Sequence, residues 1–214
     1  MRRTAGLAFL ALLVAACGAA PGRSLVDYHD PTGRFVARLP AENTFTVLAT
    51  RMATASTPGV LAGVLAEPPA LASPSASPSS VLGDRFAVDQ TSDDRTIFQA
   101  LVVTTEGFSS LDDMTLYFLT NDSTFDVRET RAIRVAGETG RLVVADYLED
   151  GAPIAGVAGA FTLGRDGVGY LIAAIFPPGT WAAQRTDFLA IVRSFRSAVP
   201  PHEAAIPVAV PTAA

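Results

Sequence analysis

Two acidic stretches contain the side chains of this sequence that could bind a metal ion. They read DQTSDDR and NDSTFD, and their carboxylate and amide oxygens are ligands that calcium accepts. Neither stretch has the Asp-x-Asp-x-Asp-Gly order that wraps a loop around a hard cation. Solvated turns explain both stretches more simply, so the sequence predicts neither a metal site nor a cofactor. The residues concerned are Asp89, Asp93, Asp94, Asn121, Asp122 and Asp126.

Composition excludes several other chemistries. The sequence contains no lysine, which rules out a P-loop lysine, a pyridoxal phosphate Schiff base and a Ser-x-x-Lys nucleophile. A hydrolase that uses Ser and His would have to recruit His29, because His202 lies in a proline-rich tail. His29 stands beside the turn sequence DPTG, where a surface role is the usual one. The sequence therefore predicts no catalytic residue by motif.

Paired carboxylates are the one catalytic arrangement that the sequence leaves open. A general acid and a nucleophilic carboxylate meet in the folded chain and leave no fixed spacing in the sequence. A cleft that holds two carboxylates, one of them with a raised pKa, would reveal such a site. An exposed apolar patch without convergent acids would instead favour a binding protein.

The single cysteine, Cys17, ends a segment that is typical of exported proteins. It follows Arg2, Arg3 and the apolar run AGLAFLALLVAA, which is shorter than the roughly 20 residues that a membrane-spanning helix needs. The segment LVAAC resembles the lipobox of bacterial lipoproteins. This resemblance implies that residues 1–16 are a signal peptide and that the thiol of Cys17, the new N-terminus, carries a diacylglycerol with acyl chains such as palmitate. An ordinary secretory signal cleaved nearby is the alternative.

Lipidation of Cys17 would place the protein at the extracytoplasmic face of a bacterial membrane. Removal of residues 1–16 takes away two arginines and no acidic residue, so the formal net charge moves from −5 to −7. An acidic body does not suit nucleic acid or anionic headgroups, which attract clustered Lys and Arg. The expected membrane contact is therefore the lipid itself, and no nucleic-acid partner is predicted.

The rest of the chain divides into one domain and three accessory segments. Residues 17–24 are expected to be a lipidated tether, and residues 25–197 a single domain of ordinary size. Residues 67–81 include PPALASPSASPSS, whose composition predicts a flexible insertion. Residues 198–214 are interrupted repeatedly by proline and are predicted to be a disordered tail.

Most of the domain has the alternating pattern of β-strands. GRFVARLP predicts a strand with one buried face, and TFTVLATRMA with GVLAGVLAE predicts a hairpin across ASTP. RFAVDQT and RTIFQALVVTT flank the turn SDD, and the second is apolar on both faces, which predicts a central strand. FDVRETRAIRV, GRLVVADYL, IAGVAGAFTL and VGYLIAAIF predict a four-strand meander through the turns GETG, EDGAP and GRDG.

Two segments have helical periodicity instead. SSLDDMTLYFLTND begins at Ser109 or Ser110 as the N-cap and carries two aspartates in its first turn. TWAAQRTDFLAIVRSF has Thr180 as the expected cap and an apolar face that packs onto a sheet. The residues of that face are Phe188, Ile191, Val192 and Phe195. The aromatic residues that could line a groove are expected in the core or at its rim: Trp181, Tyr117, Phe118, Tyr147 and Tyr170.

The opening and closing segments of the domain together resemble a PsbP-like domain. The opening YHDPTGRFVARLP and the closing GYLIAAIFPPGTWAAQRTDFLAIVRSF carry the resemblance, which covers roughly residues 26–196. It implies an α+β fold, an α/β/α sandwich in which helices pack on an antiparallel sheet. PsbP-like domains occur in photosystem II accessory subunits and in many bacterial lipoproteins. No binding residue of the family can be matched here position by position.

The sequence thus predicts a membrane-anchored lipoprotein with a non-enzymatic accessory or binding role. A protein complex or a small ligand is left open as its partner. The alternative, from a different class, is a carboxylate-based hydrolase of cell-envelope polymers.

Overall fold

The computed structural model describes residues 22–50, 52, 58–69, 96–120, 124–164 and 167–198. Several predictions therefore lie outside the described residues: the signal peptide, Cys17, the strand RFAVDQT, most of the insertion and the tail after Ala198. The first acidic stretch and the first three residues of the second, Asn121, Asp122 and Ser123, also lie outside them.

Seven antiparallel strands form the main sheet of the domain. Their order is β3-β4-β5-β9-β8-β7-β6, so consecutive strands are neighbours except where β5 joins β9. The predicted hairpin and the predicted meander are both present as antiparallel pairs. β5 lies between β4 and β9, which agrees with its apolar sequence on both faces. The strands are β3 (Thr44–Val47), β4 (Val60–Glu67), β5 (Ile97–Thr104), β6 (Phe125–Val135), β7 (Glu138–Glu149), β8 (Ala152–Leu163) and β9 (Val168–Phe176).

A second, three-stranded sheet is formed by β1 (Leu25–His29), β2 (Phe35–Pro40) and β10 (Arg196–Ser197), with β2 in the middle. The segment GRFVARLP forms β2 as predicted, but in this separate sheet. β1 and β10 were not predicted from the sequence. β1 forms a hairpin with β2 across residues 30–34, but its residues LVDYH do not alternate strictly between apolar and polar. β10 has only two residues, and its partner β2 is distant in the sequence.

The closing helix α2 (Trp181–Ser194) packs on one face of the main sheet. Its predicted apolar residues Phe188, Ile191 and Val192 are buried, as is Phe195 directly after it. Together with the small sheet they enclose one hydrophobic core against inward-facing residues of the main sheet.

The predicted cap of α2 differs from the structure. Thr180 stands at the N-cap position, but its hydroxyl donates to the carbonyl oxygen of Pro177 at 2.7 Å. It accepts no hydrogen bond from an N–H group of the helix, so it does not cap α2 with its side chain.

The short helix α1 (Leu111–Thr115) covers part of the opposite face and continues as a π-helical turn over Leu116–Thr120. Ser110 caps it as predicted, accepting from the N–H of Asp113 at 3.1 Å. Met114, Phe118 and Leu119 of this segment are buried in a second core on that face. The α-helical part is shorter than predicted, because the last turn is π-helical.

The main sheet therefore separates two cores and has a helix on each face, the α/β/α arrangement that the sequence predicted. β8 shows the alternation, since Ala158 and Ala160 face the α2 core while Val157 and Phe161 face the α1 core. Gly159 lets the π-helical turn approach closely, because a Cβ built there would lie 2.7 Å from the Leu119 Cδ1 atom. None of the helices in the described residues is long and apolar enough to cross a membrane.

Candidate functional site

The two ends of the main sheet are built differently. One end carries the loop after β9, the start of β5 and the turn Asp150–Gly151 between β7 and β8. It is termed the tether end, because Arg23 of the N-terminal segment contacts Phe98 near the start of β5. The opposite end carries the turn Ala136–Gly137 between β6 and β7 and the turn containing Gly167 between β8 and β9, and it is termed the turn end.

Arg23 joins the N-terminal segment to the tether end. Its backbone N–H donates to the Asp187 Oδ1 atom at 3.3 Å. The Nε atom of its side chain lies 3.5 Å from Asp187 Oδ2 and 3.9 Å from Glu42 Oε1. Its guanidinium carbon lies 5.7 Å from the centre of the Phe98 ring, within the range of a cation–π contact. Arg23 thus connects the segment before β1 to α2, to the loop after β2 and to β5. This set of contacts is termed the Arg23 clamp.

A second polar cluster joins the start of α2 to the middle of β6, where Glu129 pairs with Val144. The Trp181 Nε1–H donates to Glu129 Oε2 at 3.1 Å, and Glu129 Oε1 lies 3.0 Å from the Nε atom of Arg131 and 4.0 Å from the NH2 atom of Arg185. The indole stacks on Phe176 with ring centres 5.7 Å apart and an interplanar angle of 23°. One carboxylate is therefore shared by an indole and two guanidinium groups, while the indole itself is only half-buried.

Apolar side chains reach the surface at the tether end on the α1 face. Phe125 and Tyr147 form a cross-strand pair between β6 and β7, with ring centres 5.3 Å apart, and both are half-buried. Val127, two residues further along β6, is 42% exposed. Beside them Arg128 pairs with Asp146 at 2.9 Å and with Asp126 at 3.1 Å. The hydrogen bond to Asp146 and the charges of both carboxylates raise the pKa of the Arg128 guanidinium.

The sheltered carboxylates have structural partners. Asp30 accepts from the N–H of Arg34 at 3.1 Å within its own turn, Asp146 pairs with Arg128, and Asp187 belongs to the Arg23 clamp. Among the described residues no cluster of three or more His, Cys, Asp or Glu could hold a metal ion. Of the candidate ligands in the second acidic stretch, only Asp126 belongs to the described residues, and it is an ion-pair partner of Arg128. This use of carboxylates gives no support to the predicted alternative of a paired-carboxylate hydrolase.

The remaining residues that the sequence analysis named lie at the surface, in the core or at its rim. His29 is exposed on β1, as expected for a surface residue. Tyr170 is buried and donates its hydroxyl to Ser197 at 2.7 Å, while Tyr117 is half-buried against Phe108. Phe118 is buried, and Trp181 and Tyr147 lie at the rim, so the prediction that these aromatics belong to the core or its rim is confirmed.

Tyr28 was not singled out by the sequence analysis. Its ring is buried against Phe35 and Phe45, and its hydroxyl has no hydrogen-bond partner among the described residues. Burial first, and the charge of Asp30 second, raise the pKa of this phenol. A buried phenol that stays protonated contributes packing rather than proton transfer at neutral pH.

Comparison with known proteins supports the fold. No protein-family profile matches the chain, and no curated protein is similar to it in sequence. The solution structure of the cyanobacterial PsbP protein CyanoP from Synechocystis sp. PCC 6803 is similar in structure, with a TM-score of 0.52 and 13% identity over 85% of this chain and 97% of that chain. The predicted PsbP-like α+β fold is therefore confirmed, and a likeness at this identity shows the fold alone.

Two further solved structures are more distant. The protein of unknown function PA94 from Pseudomonas aeruginosa has a TM-score of 0.39 and 10% identity, over 78% of this chain and 92% of that chain. LpqN of Mycobacterium tuberculosis, described as involved in cell envelope biogenesis, has a TM-score of 0.40 and 14% identity, over 81% of this chain and 90% of that chain. Likenesses of this strength carry no argument about this chain.

Proposed function

We propose that this PsbP-like chain is an extracytoplasmic lipoprotein that acts as a non-enzymatic accessory or binding protein. The lipid is carried by Cys17, and the folded domain is held at the outer face of a bacterial membrane. A protein complex or a small ligand at that face is the proposed partner. The lipobox resemblance of LVAAC supports the anchor.

The observation that carries the binding role is the way in which the tether end uses its charged groups. Glu129, Asp146 and Asp187 are each engaged by an arginine. These carboxylates are thus occupied by ion pairs within the domain. Half-buried aromatic side chains reach the surface between these pairs, and such side chains are common contact residues in binding surfaces.

Cell fractionation and an assay for catalysis test the two halves of the proposal. The full chain is expected in the membrane fraction, and the variant Cys17→Ser in the soluble extracytoplasmic fraction. Because the thiol is the only attachment point for the diacylglycerol, equal distribution of the two proteins would contradict the anchor.

The catalytic half is tested with isolated envelope polymers. The purified protein is expected to release no soluble fragments from them. Fragments released by the full chain, but not by Glu129→Gln or Asp146→Asn variants that remain folded, would replace the accessory role with the hydrolase.

A further inference from the structure

The two edges of the main sheet differ in length. β3 forms one edge with 4 residues, Thr44–Val47, and β6 forms the other with 11 residues, Phe125–Val135. Among the described residues, β6 pairs only with β7. An unpaired edge presents a row of backbone N–H and C=O groups on which another strand can add. β6 is therefore the longer open edge of the sheet.

The turn between β6 and β7 determines which backbone groups of β6 are free. Val135 pairs with Glu138 across Ala136–Gly137, and both turn residues have positive φ, as a type I′ turn requires. Such a turn is closed by a hydrogen-bonded pair, and hydrogen-bonded pairs alternate with non-bonded pairs along the ladder. Every second residue of β6 therefore points its N–H and C=O groups away from β7, namely Thr130, Ala132 and Arg134.

A β-bulge extends this outward row towards the start of β6. The register with β7 shifts between Val127 and Glu129, which leaves Arg128 as the extra residue. Before the bulge, the outward positions are therefore Val127 and Phe125. The outward residues have their side chains on the α1 face, because Thr130 pairs with Val143 of the α1 core. All of them except Phe125 are exposed.

The outward row is complementary to itself. Two copies of β6 run antiparallel when a two-fold axis passes between their Thr130 residues. If the bulge of each copy lies opposite Arg131 of the other, every outward N–H and C=O group finds a partner in the second strand. The facing pairs are then Thr130 with Thr130, Val127 with Ala132, and Phe125 with Arg134.

The side chains fit this register. Val127 is 42% exposed in the single chain and meets the methyl group of Ala132. Arg134 donates to the carbonyl oxygen of Gly137, and none of the described carboxylates contacts it. In the pair, its guanidinium lies opposite the Phe125 ring of the second copy, which allows a cation–π contact.

Charged side chains often protect a sheet edge from pairing, but the charges of β6 are compensated. Arg128 is paired with Asp126 and Asp146, and Arg131 with Glu129. With the axis at Thr130, Glu129 also lies opposite Arg131 of the second copy, which is a favourable cross-strand pair. An axis at Arg131 would instead place two guanidinium groups directly opposite each other, which is unfavourable.

We propose that β6 is a self-association surface, through which two copies of this chain pair their sheet edges about Thr130. The two main sheets then form one continuous sheet with β6 of both copies at its centre. This pairing does not depend on the lipid at Cys17.

Disulfide crosslinking tests the surface. Cys17 is the only cysteine, so the full chain with Cys17→Ser has no thiol until one is introduced. Thr130→Cys places two Cα atoms about 5.5 Å apart across the axis, which a disulfide can span. Thr44→Cys is the matched control, because Thr44 is also exposed but lies on β3 at the opposite edge.

Mild oxidation of cells that export these chains is expected to give several-fold more covalent dimer for Thr130→Cys than for Thr44→Cys. Equal crosslinking of the two variants would overturn the surface. A crosslink from Thr130→Cys to a different protein, in place of a second copy, would assign the edge to a foreign strand and overturn self-association.

The register is tested with two further cysteines. Chains with Val127→Cys and chains with Ala132→Cys are expected to crosslink to each other when both are present, and neither is expected to crosslink to itself. Self-crosslinking of the Ala132→Cys chain would place the axis at Ala132 and overturn the register.

Proline tests the role of the free backbone groups. The N–H of Ala132 points away from β7, so Ala132→Pro removes no hydrogen bond of the single sheet. It removes one from each copy in the pair, and the dissociation constant of the Cys17→Ser dimer is expected to rise about tenfold or more. Ala132→Ser keeps the N–H and should change this constant by less than about threefold.

Analytical ultracentrifugation measures these constants, and circular dichroism confirms that each variant is folded. A Cys17→Ser chain that is monomeric at every concentration would overturn the proposal. So would a folded Ala132→Pro variant that dimerises as strongly as Ala132→Ser. If proline unfolds the chain, the crosslinking comparison of Thr130→Cys with Thr44→Cys decides.

Discussion

The tether end and the turn end of the sheet are stabilised in different ways. Towards the tether end, an ion pair holds α2 to the segment before β1, because Arg23 pairs with Asp187. Towards the turn end, ring packing holds the end of α2 to β2, because Phe195 stacks on Phe35. Both ends also close a hairpin of β7 with a tight turn, at Asp150–Gly151 and at Ala136–Gly137. The two ends thus differ in the chemistry that holds the closing helix, charged groups at one end and aromatic rings at the other.

The largest expected effect concerns α2, which spans both ends. Phe188 contacts the Trp181 ring towards the tether end, and Phe195 stacks on Phe35 towards the turn end with ring centres 5.2 Å apart. Both are fully buried. Phe188→Ala and Phe195→Ala should each lower the free energy of unfolding by about 3 to 5 kcal/mol, because each leaves a cavity.

Chemical denaturation measures this comparison, and Arg193→Ala is the matched control on the exposed side of α2. The control should change stability by less than about 0.5 kcal/mol. A small cost at Phe195 with a large cost at Phe188 would show that α2 is docked only at the tether end.

An intermediate effect is expected at Trp181. Trp181→Ala removes the stacking on Phe176 and the hydrogen bond to Glu129, and because the indole is only half-buried the loss should be about 2 kcal/mol. Trp181→Phe keeps a ring and removes the hydrogen bond, so it should cost about 1 kcal/mol. Thermal unfolding of the two variants separates the contributions, and equal losses would mean that packing of the ring adds nothing.

A smaller effect is expected from the Arg23 clamp. Arg23→Ala removes the ion pairs to Asp187 and Glu42 and the contact with Phe98, at a cost of about 1 kcal/mol. The control is Arg38→Ala. The pair of Arg38 with Asp27 is well exposed to solvent, so the control should cost less than Arg23→Ala. Denaturant midpoints that rank the two variants in the opposite order would contradict the clamp.

The smallest effect compares the two hairpin turns at opposite ends of β7. Ala136 has φ 52° and Asp150 has φ 51°, both in the left-handed region, and each is followed by glycine. Ala136→Gly should raise stability by about 0.5 kcal/mol, because alanine is strained there. Asp150→Gly should gain less, since aspartate tolerates this conformation better. Urea unfolding with an unchanged slope checks both, and a loss of stability in Ala136→Gly would contradict the assigned strain.

The sequence predicted the elements whose signals are local. The strands β6 and β9 have the predicted bounds, and α2 buries the predicted face. In long periodic segments the spacing of the apolar residues indicates which side is buried. β7 begins two residues earlier than predicted, since the turn uses Ala136–Gly137 and not GETG. β1 was not predicted. The α-helix α1 was predicted too long, because the last turn of that segment is π-helical.

The candidate site was much less predictable. The sequence singled out Trp181 and Tyr147 as aromatic residues but gave no sign of their partners. Arg23 and Asp187 are separated by 164 positions, and no spacing rule connects two such residues before the fold is known. An exposed-looking arginine before the first strand and an aspartate on the polar side of a helix resemble ordinary surface residues. Only the three-dimensional arrangement reveals that they meet.

The lipid on Cys17 is the central claim, because the proposed role at the membrane depends on it. Mass spectrometry of the N-terminal peptide from the membrane-extracted protein tests it most directly. The account predicts a peptide that begins at Cys17 and carries a thioether-linked diacylglycerol, with residues 1–16 absent. A peptide that contains an unmodified Cys17 thiol, or that still carries residues 1–16, would contradict it.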